Sequence, residues 1–165
     1  EMFTEIKENV KDWKEDEEVY DYLKKILNKE AGDGSGLIYG MGHAIYTQSD
    51  PRALVLKKNA LNLAEKKGYM SEFDLLRKIE AITPKVFKDV TGNDKAMCAN
   101  VDMYSGLIYR MLGIPPELYT PLFATARVAG WCAHRIEEIL TGGRIMRPAY
   151  KTPYNLKEYK PISER

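Results

Sequence analysis

A histidine that follows a pair of glycines is the residue best placed to do chemistry in this sequence. His43 comes directly after a Gly-Met-Gly stretch at residues 40–42, and Arg52 lies nine residues further on. Glycine allows unusual backbone angles, so the imidazole can project into a cleft and donate a hydrogen bond or a proton at neutral pH. The residues alone leave a second interpretation open, in which His43 only caps a helix or bonds a carbonyl.

A carboxylate stands at the start of an apolar stretch later in the chain. Asp102 precedes Met103 and Tyr104, and Met111 follows at helical spacing. Aspartate in this place commonly caps a helix or interacts with its dipole. Apolar neighbours can also shield a carboxylate so that it acts as a general base. The residues do not separate these two roles.

An arginine interrupts a third stretch, the apolar run at residues 122–131. Arg127 is expected to be buried there, and a buried arginine needs a carboxylate from the protein or from a ligand. Six of the eight arginines fall within residues 101–165, and the planar guanidinium suits carboxylates. This placement hints at an acidic small molecule. His134 and Glu138 lie four residues apart on the helix that contains this apolar run, and they are expected to form a pair.

Length and composition exclude several other classes of protein. The chain has 165 residues, 44% of them hydrophobic, and a formal net charge of +1. It therefore lacks the basic excess that is typical of nucleic-acid-binding proteins. No apolar run is long enough to span a membrane. Cys98 and Cys132 are expected to be free thiols in the cytoplasm, and neither histidine has partners at metal-ligand spacing. The first residues do not form a signal peptide, and we expect the chain to begin at a cut end.

Helical periodicity dominates the sequence and predicts an all-α fold. Pro51 predicts a helix start and Gly68 its end, whereas Pro84 is expected to kink or split a later helix that stops at Gly92. A short strand is considered only at residues 37–39. The predicted helices cover approximately residues 2–13, 16–29, 51–67, 71–91, 97–111 and 121–140, and an extended tail follows over residues 144–165.

Taken together, the three stretches resemble the citrate synthase family. The first has the pattern Gly-x-Gly-His-x-Ile closed by Asp-Pro-Arg, over residues 40–52, like that family's signature. The second reads Asn-Val-Asp and then Ser-Gly, over residues 100–106. The third matches at Phe123, Arg127 and Gly130, and an Arg-Pro pair follows at residues 147–148. The resemblance extends over essentially the whole chain.

The resemblance implies a condensation reaction of the tricarboxylic acid cycle. Members join the methyl carbon of acetyl-CoA to the ketone of oxaloacetate, then hydrolyse the thioester to citrate and CoA. By resemblance, His43 polarises the oxaloacetate carbonyl and Asp102 removes the methyl proton. Arg52, Arg127 and Arg147 are implied to hold the substrate carboxylates, with Arg147 reaching the neighbouring subunit's site in a homodimer or larger homo-oligomer.

The resemblance also implies where the co-substrate lies, with no permanently bound cofactor. In this family CoA runs along the glycine-rich backbone before the histidine. Lys95 is suggested as a phosphate contact, because Thr47 stands where some members have an arginine. The implied CoA contacts in this chain are Ile38, Gly40, Met41, Gly42, Asn100 and Lys95.

A two-domain architecture follows from the same resemblance. Residues 1–113 are expected to form the small helical domain, and residues 114–165 to return to the large domain as a long helix and a tail. A further catalytic histidine, in a His-Gly motif, is expected before Glu1, so the chain alone is expected to turn over little. Two alternatives stay open, namely a 2-methylcitrate synthase that uses propionyl-CoA, and a non-catalytic helical module that binds a dicarboxylate or supports assembly.

Overall fold

The regular elements of the described part of the chain are helices, and one isolated bridge joins two of the loops between them. The computed structural model describes residues 2–142 together with residues 161 and 163, so most of the tail predicted over 144–165 lies outside it. The described residues form α1 (Met2–Asn9), α2 (Asp16–Leu27), α3 (Pro51–Lys67), α4 (Met70–Thr91), α5 (Asp102–Met111) and α6 (Tyr119–Leu140), with a 3-10 turn at Pro116–Leu118. The all-α prediction is confirmed.

Two compact units divide the chain, residues 1–122 and residues 123–165. The first contains α1 to α5, in which α2 packs on α4 and α3 packs on α5. The domain boundary expected after residue 113 stays a prediction, because it refers to the architecture of a larger protein.

Apolar side chains at helical spacing build the core of the first unit. Val19, Leu23 and Ile26 are buried along one face of α2, as the three-and-four periodicity predicts. Tyr104 of α5 is fully buried, its ring centroid lies 5.9 Å from that of Phe73, and its hydroxyl donates to Glu80. Burial is the main cause, and the hydrogen bond to Glu80 the second, of a Tyr104 pKa that lies far above its usual value. The hydroxyl therefore stays a neutral donor inside the core.

Several helix ends lie where the sequence predicts them. Asp50 caps α3 by accepting a hydrogen bond from the backbone N–H of Arg52, and α3 ends at Gly68. Helix α4 ends at Gly92. Helix α1, in contrast, ends at Asn9 and not near Trp13 as predicted. Glu18 accepts hydrogen bonds from the backbone N–H groups of residues 11 and 12, which holds that backbone outside the helix.

Of the two outcomes expected at Pro84, a kink or a split of the helix, the split is wrong, since α4 runs through the proline. Proline has no N–H to bond the Glu80 carbonyl. The Thr83 hydroxyl donates to the Ile79 carbonyl at 2.6 Å, and Ile79, Thr83 and Val86 are buried around the proline. Tertiary packing on both sides of the missing bond therefore keeps the helix continuous.

Helix α5 begins five residues later than the predicted start at Met97. The residues before Asp102 leave the helix to pair with the glycine-rich loop, through one antiparallel bridge between Met41 and Ala99. This bridge also takes the place of the short strand considered at residues 37–39. Periodicity within one stretch does not reveal such a pairing with a distant loop.

The described part of the second unit is the remainder of α6. None of its residues is buried, and Arg127 is exposed, with Nη1 donating to the Phe123 carbonyl of the same helix at 2.7 Å. The expectation of a buried Arg127 is therefore wrong for the described residues. His134 lies 3.7 Å from Glu137, while Glu138 pairs with Arg135, so the predicted pair is also wrong. Among residues 2–142, we find no helix with the length and apolar character required to span a membrane.

Candidate active site

Gly40 allows the glycine-rich loop to touch α5. Its φ is +89°, and a Cβ atom added there would lie 2.8 Å from the Cα atom of Met103. That separation is far below van der Waals contact, and the obstacle is backbone that cannot rotate away. Glycine at position 40 therefore brings the loop directly against the first turn of α5.

Hydrogen bonds fasten this loop to the segment that precedes α5. The Gly42 N–H donates to the Cys98 carbonyl, and the Asn100 N–H donates to the Gly40 carbonyl, both at 2.8 Å. The Asn100 side chain adds a third bond of 2.8 Å, from Nδ2 to the Gly42 carbonyl. The backbone that leads into His43 is thus tied to the backbone that leads into Asp102.

The hydrogen bonds of His43 define its tautomer. Nδ1 accepts from the backbone N–H groups of Ile45 at 3.0 Å and Tyr46 at 3.2 Å. An imidazole nitrogen that accepts hydrogen bonds carries no proton, so in the neutral ring the proton is on Nε2. The ring is half-buried and lies against Tyr46, with centroids 4.8 Å apart. The ring of His43 is therefore held in place, and Nε2 is the nitrogen that is left to donate.

Asp50 holds the guanidinium of Arg52 beside this histidine. Oδ1 accepts from Arg52 Nε at 3.0 Å and Oδ2 accepts from Nη2 at 2.9 Å, in addition to the capping bond. The hydrogen bonds from Arg52 hold the pKa of the buried Asp50 carboxyl below its usual value, against the opposing effect of desolvation. The same pairing raises the pKa of Arg52. This ion pair stays charged over the whole physiological range.

Two hydrogen-bond donors meet at the exposed side of the pair. Arg52 Nη2 lies 3.3 Å from His43 Nε2, and with the proton on Nε2 neither atom accepts from the other. Two adjacent donors are satisfied together by one acceptor-rich group, such as a carboxylate or keto acid. The geometry therefore creates a place for an anionic oxygen ligand.

Asp102 is the first residue of α5, two residues after the Asn100 that bonds the glycine-rich loop. It is exposed, and its negative charge adds to the raised pKa of Arg52, for which the hydrogen bond to Asp50 is the main cause. Its backbone N–H donates to the Asn100 side chain at 2.9 Å. Val101 occupies the N-cap position of α5 without a side-chain capping bond, so the interpretation of Asp102 as the cap is wrong. Its position in the first turn still allows the expected interaction with the helix dipole. A carboxylate that does not cap is available for chemistry.

The remaining predicted contacts are placed less closely together. Ile38 and Gly40 are buried, Met41 and Gly42 are half-buried, and Lys95 is exposed. Met41 lines a cleft of about 300 Å³ whose walls also include Asp50, Lys57, Glu80, Cys98 and Ala99. Arg127 belongs to the second unit, and Arg147 lies outside the described residues. Within the described ranges, no three His, Cys, Asp or Glu side chains come close enough to hold a metal ion.

Sequence reasoning missed three contributions to this site. Asp50 was expected only to start a helix, and it also orients Arg52. Tyr46 was not singled out, although its ring faces both His43 and the Arg52 guanidinium, the latter at 5.6 Å. Asn100 was considered only as a CoA contact. An Asn two residues before a helix start is a local signal for the bond from the Asp102 N–H to its side chain. No local signal in the sequence indicates its other bond, to the Gly42 carbonyl.

Comparisons with known proteins agree with the helical fold and the three motifs. The family model described as the C-terminal domain of citrate synthase matches residues 1–149. Citrate synthase from Synechocystis sp. is 42% identical over 152 residues, which cover 90% of this chain and 35% of that protein. Citrate synthase from Deinococcus radiodurans is 40% identical over 142 residues, covering 86% of this chain and 34% of that protein.

A solved structure gives the same result. It is the ternary complex of carboxymethyl coenzyme A and oxaloacetate with citrate synthase from the archaeon Thermoplasma acidophilum, with a TM-score of 0.66 and 32% identity. The match covers 99% of this chain and 40% of that one. The chain spans about a third of the length of the curated relatives it matches. Since the family model covers most of the sequence and relatives above 30% identity align along nearly all of it, the chain belongs to the citrate synthase family.

Proposed function

We propose that this chain carries part of the active site for condensing acetyl-CoA with oxaloacetate, followed by hydrolysis to citrate and CoA. The single observation that carries this proposal is the placement of His43 Nε2 and Arg52 Nη2 3.3 Å apart, with Nδ1 of the same ring accepting two backbone hydrogen bonds, so that Nε2 is assigned the proton. Oxaloacetate offers a ketone oxygen next to a carboxylate, which matches two adjacent donors. The Thermoplasma acidophilum relative, whose structure is a complex with carboxymethyl coenzyme A and oxaloacetate, supports the same substrate pair.

His43 is the proposed electrophilic residue. Its Nε2–H donates a hydrogen bond to the ketone oxygen of oxaloacetate, which makes the ketone carbon more electrophilic. When the new carbon–carbon bond forms, the π electrons of the ketone move to this oxygen, and the hydrogen bond stabilises the negative charge. Because Ile45 and Tyr46 hold Nδ1 through their backbone N–H groups, the ring needs no reorientation during this step.

Arg52 is the proposed partner of the adjacent carboxylate. Asp50 fixes the guanidinium at Nε and Nη2, so its orientation is set before substrate binds. Preorganised cations position an anionic substrate without an entropic cost at the moment of reaction. We further propose that Arg127 and Arg147 bind the substrate carboxylates, because a dianion needs more than one fixed cation.

Asp102 is the proposed base. Its carboxylate takes a proton from the methyl carbon of acetyl-CoA, and the resulting enolate carbon attacks the ketone carbon. A carboxylate removes such a proton only if a donor stabilises the enolate oxygen. The family resemblance assigns that donor to a histidine in a His-Gly motif, which is not found in residues 1–165. The alkoxide formed from the ketone takes up one proton, which balances the one that Asp102 removed and later returns to water, and it becomes the hydroxyl of citryl-CoA. Water then hydrolyses the citryl thioester, releasing citrate and CoA.

The proposed CoA site follows the loop before His43. The adenine contacts are assigned to residues 38–42, of which Met41 and Gly42 are partly exposed, and Asn100, bonded to the Gly42 carbonyl, is assigned to the thioester end. Lys95 is exposed and its backbone is fixed by a hydrogen bond to Asn93, which fits a phosphate contact. These assignments rest on the resemblance and on the position of the loop.

We also propose a homodimer or larger homo-oligomer that operates in the tricarboxylic acid cycle in the cytoplasm. Exposed Val128, Trp131 and Ile136 on α6 support the assembly, and the two free cysteines fit a reducing compartment. Sedimentation velocity tests the assembly, because a chain that remains monomeric at micromolar concentration contradicts it.

Turnover by a chimera tests the proposed function. In this chimera the chain replaces the matched region of the Synechocystis relative, and CoA thiol release is followed from acetyl-CoA plus oxaloacetate. We expect release that depends on both substrates, with a higher kcat/KM for acetyl-CoA than for propionyl-CoA. A preference for propionyl-CoA would favour a 2-methylcitrate synthase. Absence of release, with oxaloacetate still bound in calorimetry, would favour a non-catalytic binding module.

A further inference from the structure

We propose that Asn100 is a positioning residue that sets the placement of His43 relative to Asp102. This inference rests on the proposed function, because it concerns the two residues assigned to the chemical steps. Asn100 lies between them in the hydrogen-bond network and makes four bonds, two through its side chain and two through its backbone, which donates to the Gly40 carbonyl and accepts from the Met103 N–H.

The two ends of the Asn100 amide act on different elements. Nδ2 donates to the Gly42 carbonyl at 2.8 Å, while Oδ1 accepts from the Asp102 N–H at 2.9 Å. The Gly42 carbonyl belongs to the same planar peptide as the His43 N–H, so this bond orients the peptide from which His43 begins. The other bond orients the peptide from which Asp102 begins. One rigid side-chain amide thus connects the proposed electrophile and the proposed base.

Only an amide of this length performs both tasks. Serine can supply an acceptor for the Asp102 N–H, as it does at helix caps, but it is too short to reach Gly42. Alanine supplies neither bond. Because the Asn100 N–H bonds the Gly40 carbonyl through the backbone, that connection survives any substitution except proline. The two side-chain bonds are therefore separable by mutation.

The consequence for catalysis differs from the consequence for stability. Loss of the bond from the Asp102 N–H to Asn100 Oδ1 alone lowers the thermal stability of the chain. Loss of the Gly42 bond instead loosens the loop that carries His43, and a misplacement of about 1 Å can lower a rate by about 100-fold. Arg52 is held by Asp50 and not by Asn100, so oxaloacetate binding should change little.

The test compares Asn100→Ser and Asn100→Ala in the chimera, with Asp12→Ala as the control. Asp12 Oδ1 accepts from the Lys14 N–H at 2.8 Å, a bond of the same i to i+2 kind that is not connected to the loop. We expect Asn100→Ser to recover most of the thermal stability lost in Asn100→Ala, yet to keep kcat at least threefold and on the order of tenfold below the parent. KM for oxaloacetate should stay within about threefold, and Asp12→Ala should retain the parent kcat.

An Asn100→Ser variant whose kcat lies within threefold of the parent overturns the inference, whatever its stability. An inactive parent chimera contradicts the proposed function instead. In that case, amide hydrogen exchange of the chain itself tests the positioning role of Asn100. In that measurement Asn100→Ser should speed amide exchange in residues 40–46 by about tenfold or more, with residues 102–106 unchanged. Equal exchange in the parent and in Asn100→Ser would overturn the positioning role.

Discussion

Asp50 shows how one buried carboxylate prepares a cation for a substrate. It is 1% exposed, yet it is held in the charged form by three hydrogen bonds from Arg52. The arginine donates to Asp50 through its backbone N–H, Nε and Nη2, and Nη2 also lies next to His43 Nε2. In the proposed site, the guanidinium that meets the anionic substrate therefore has its direction fixed in advance.

Acid should weaken the contribution of Asp50 to stability. Its pKa is lower in the folded chain than in the unfolded chain, so its stabilisation is complete above the unfolded pKa of about 3.9. It is lost as the pH falls through the lower folded pKa. We expect Asp50→Asn to be less stable than the parent at pH 7, with a difference that shrinks in acid, as measured by urea unfolding between pH 7 and pH 3.

Asp74→Asn is the matched control for this experiment. Asp74 pairs with Arg77 at 3.5 Å on the surface of α4, where such i,i+3 pairs contribute about 0.5 kcal/mol or less. A stability difference between Asp50→Asn and the parent that does not change with pH would contradict the role given to the Asp50 charge.

For single residues, the sequence predicts the candidates for chemistry better than it predicts their hydrogen-bond partners. His43, Asp102 and Arg52 stand in recognisable local patterns. The bond from Asn100 to Gly42 joins residues 58 positions apart, and nothing in either stretch indicates it. Arg127 illustrates the opposite error, since an apolar sequence around it suggested burial where the described structure has exposure.

Helix α5 and the glycine-rich loop form the element pair on which the site depends. Gly40→Ala places a methyl group 2.8 Å from the Met103 Cα atom, so the loop must move away from α5. We expect this variant to lose stability and, in the chimera, thiol-releasing activity, because the path into His43 shifts with the loop. Chemical denaturation and the thiol assay measure the two effects.

Gly34→Ala separates the clash from backbone strain. Gly34 also has a positive φ, +72°, but an added Cβ there has no atom within 4 Å. Overpacking against fixed atoms typically costs about 1–3 kcal/mol, so Gly40→Ala should lose about that much more stability than Gly34→Ala. Equal losses in the two variants would mean that the loop does not depend on close contact with α5.

Capping and helix-stopping residues in the sequence predicted several helix ends correctly. The capping Asp50, and Gly68 and Gly92 at the ends, lie at the observed boundaries. Pro84 was overruled by packing, because buried residues on both sides keep α4 continuous. The late start of α5 also has a non-local cause, since residues 98–100 pair with the loop at residues 40–42.

For the whole molecule, the first unit contains the proposed electrophile, one substrate cation and the proposed base. Its core of α1 to α5 holds the two segments that carry them, so the relative placement of His43 and Asp102 is a property of this unit. The all-α fold follows from periodicity, and the family from the three motifs. The roles of Arg127 and Arg147 remain proposals, because they lie in the second unit and outside the described residues, respectively.

The rate of CoA thiol release by Asp102→Asn, measured in the chimera with acetyl-CoA and oxaloacetate, tests the central claim most directly. Asparagine keeps the shape of the side chain but cannot accept the methyl proton, and a general base typically contributes at least about 100-fold. We therefore predict a fall in kcat of about 100-fold or more, with the Asp74→Asn control unchanged. An Asp102→Asn chimera that retains the parent kcat would contradict the account.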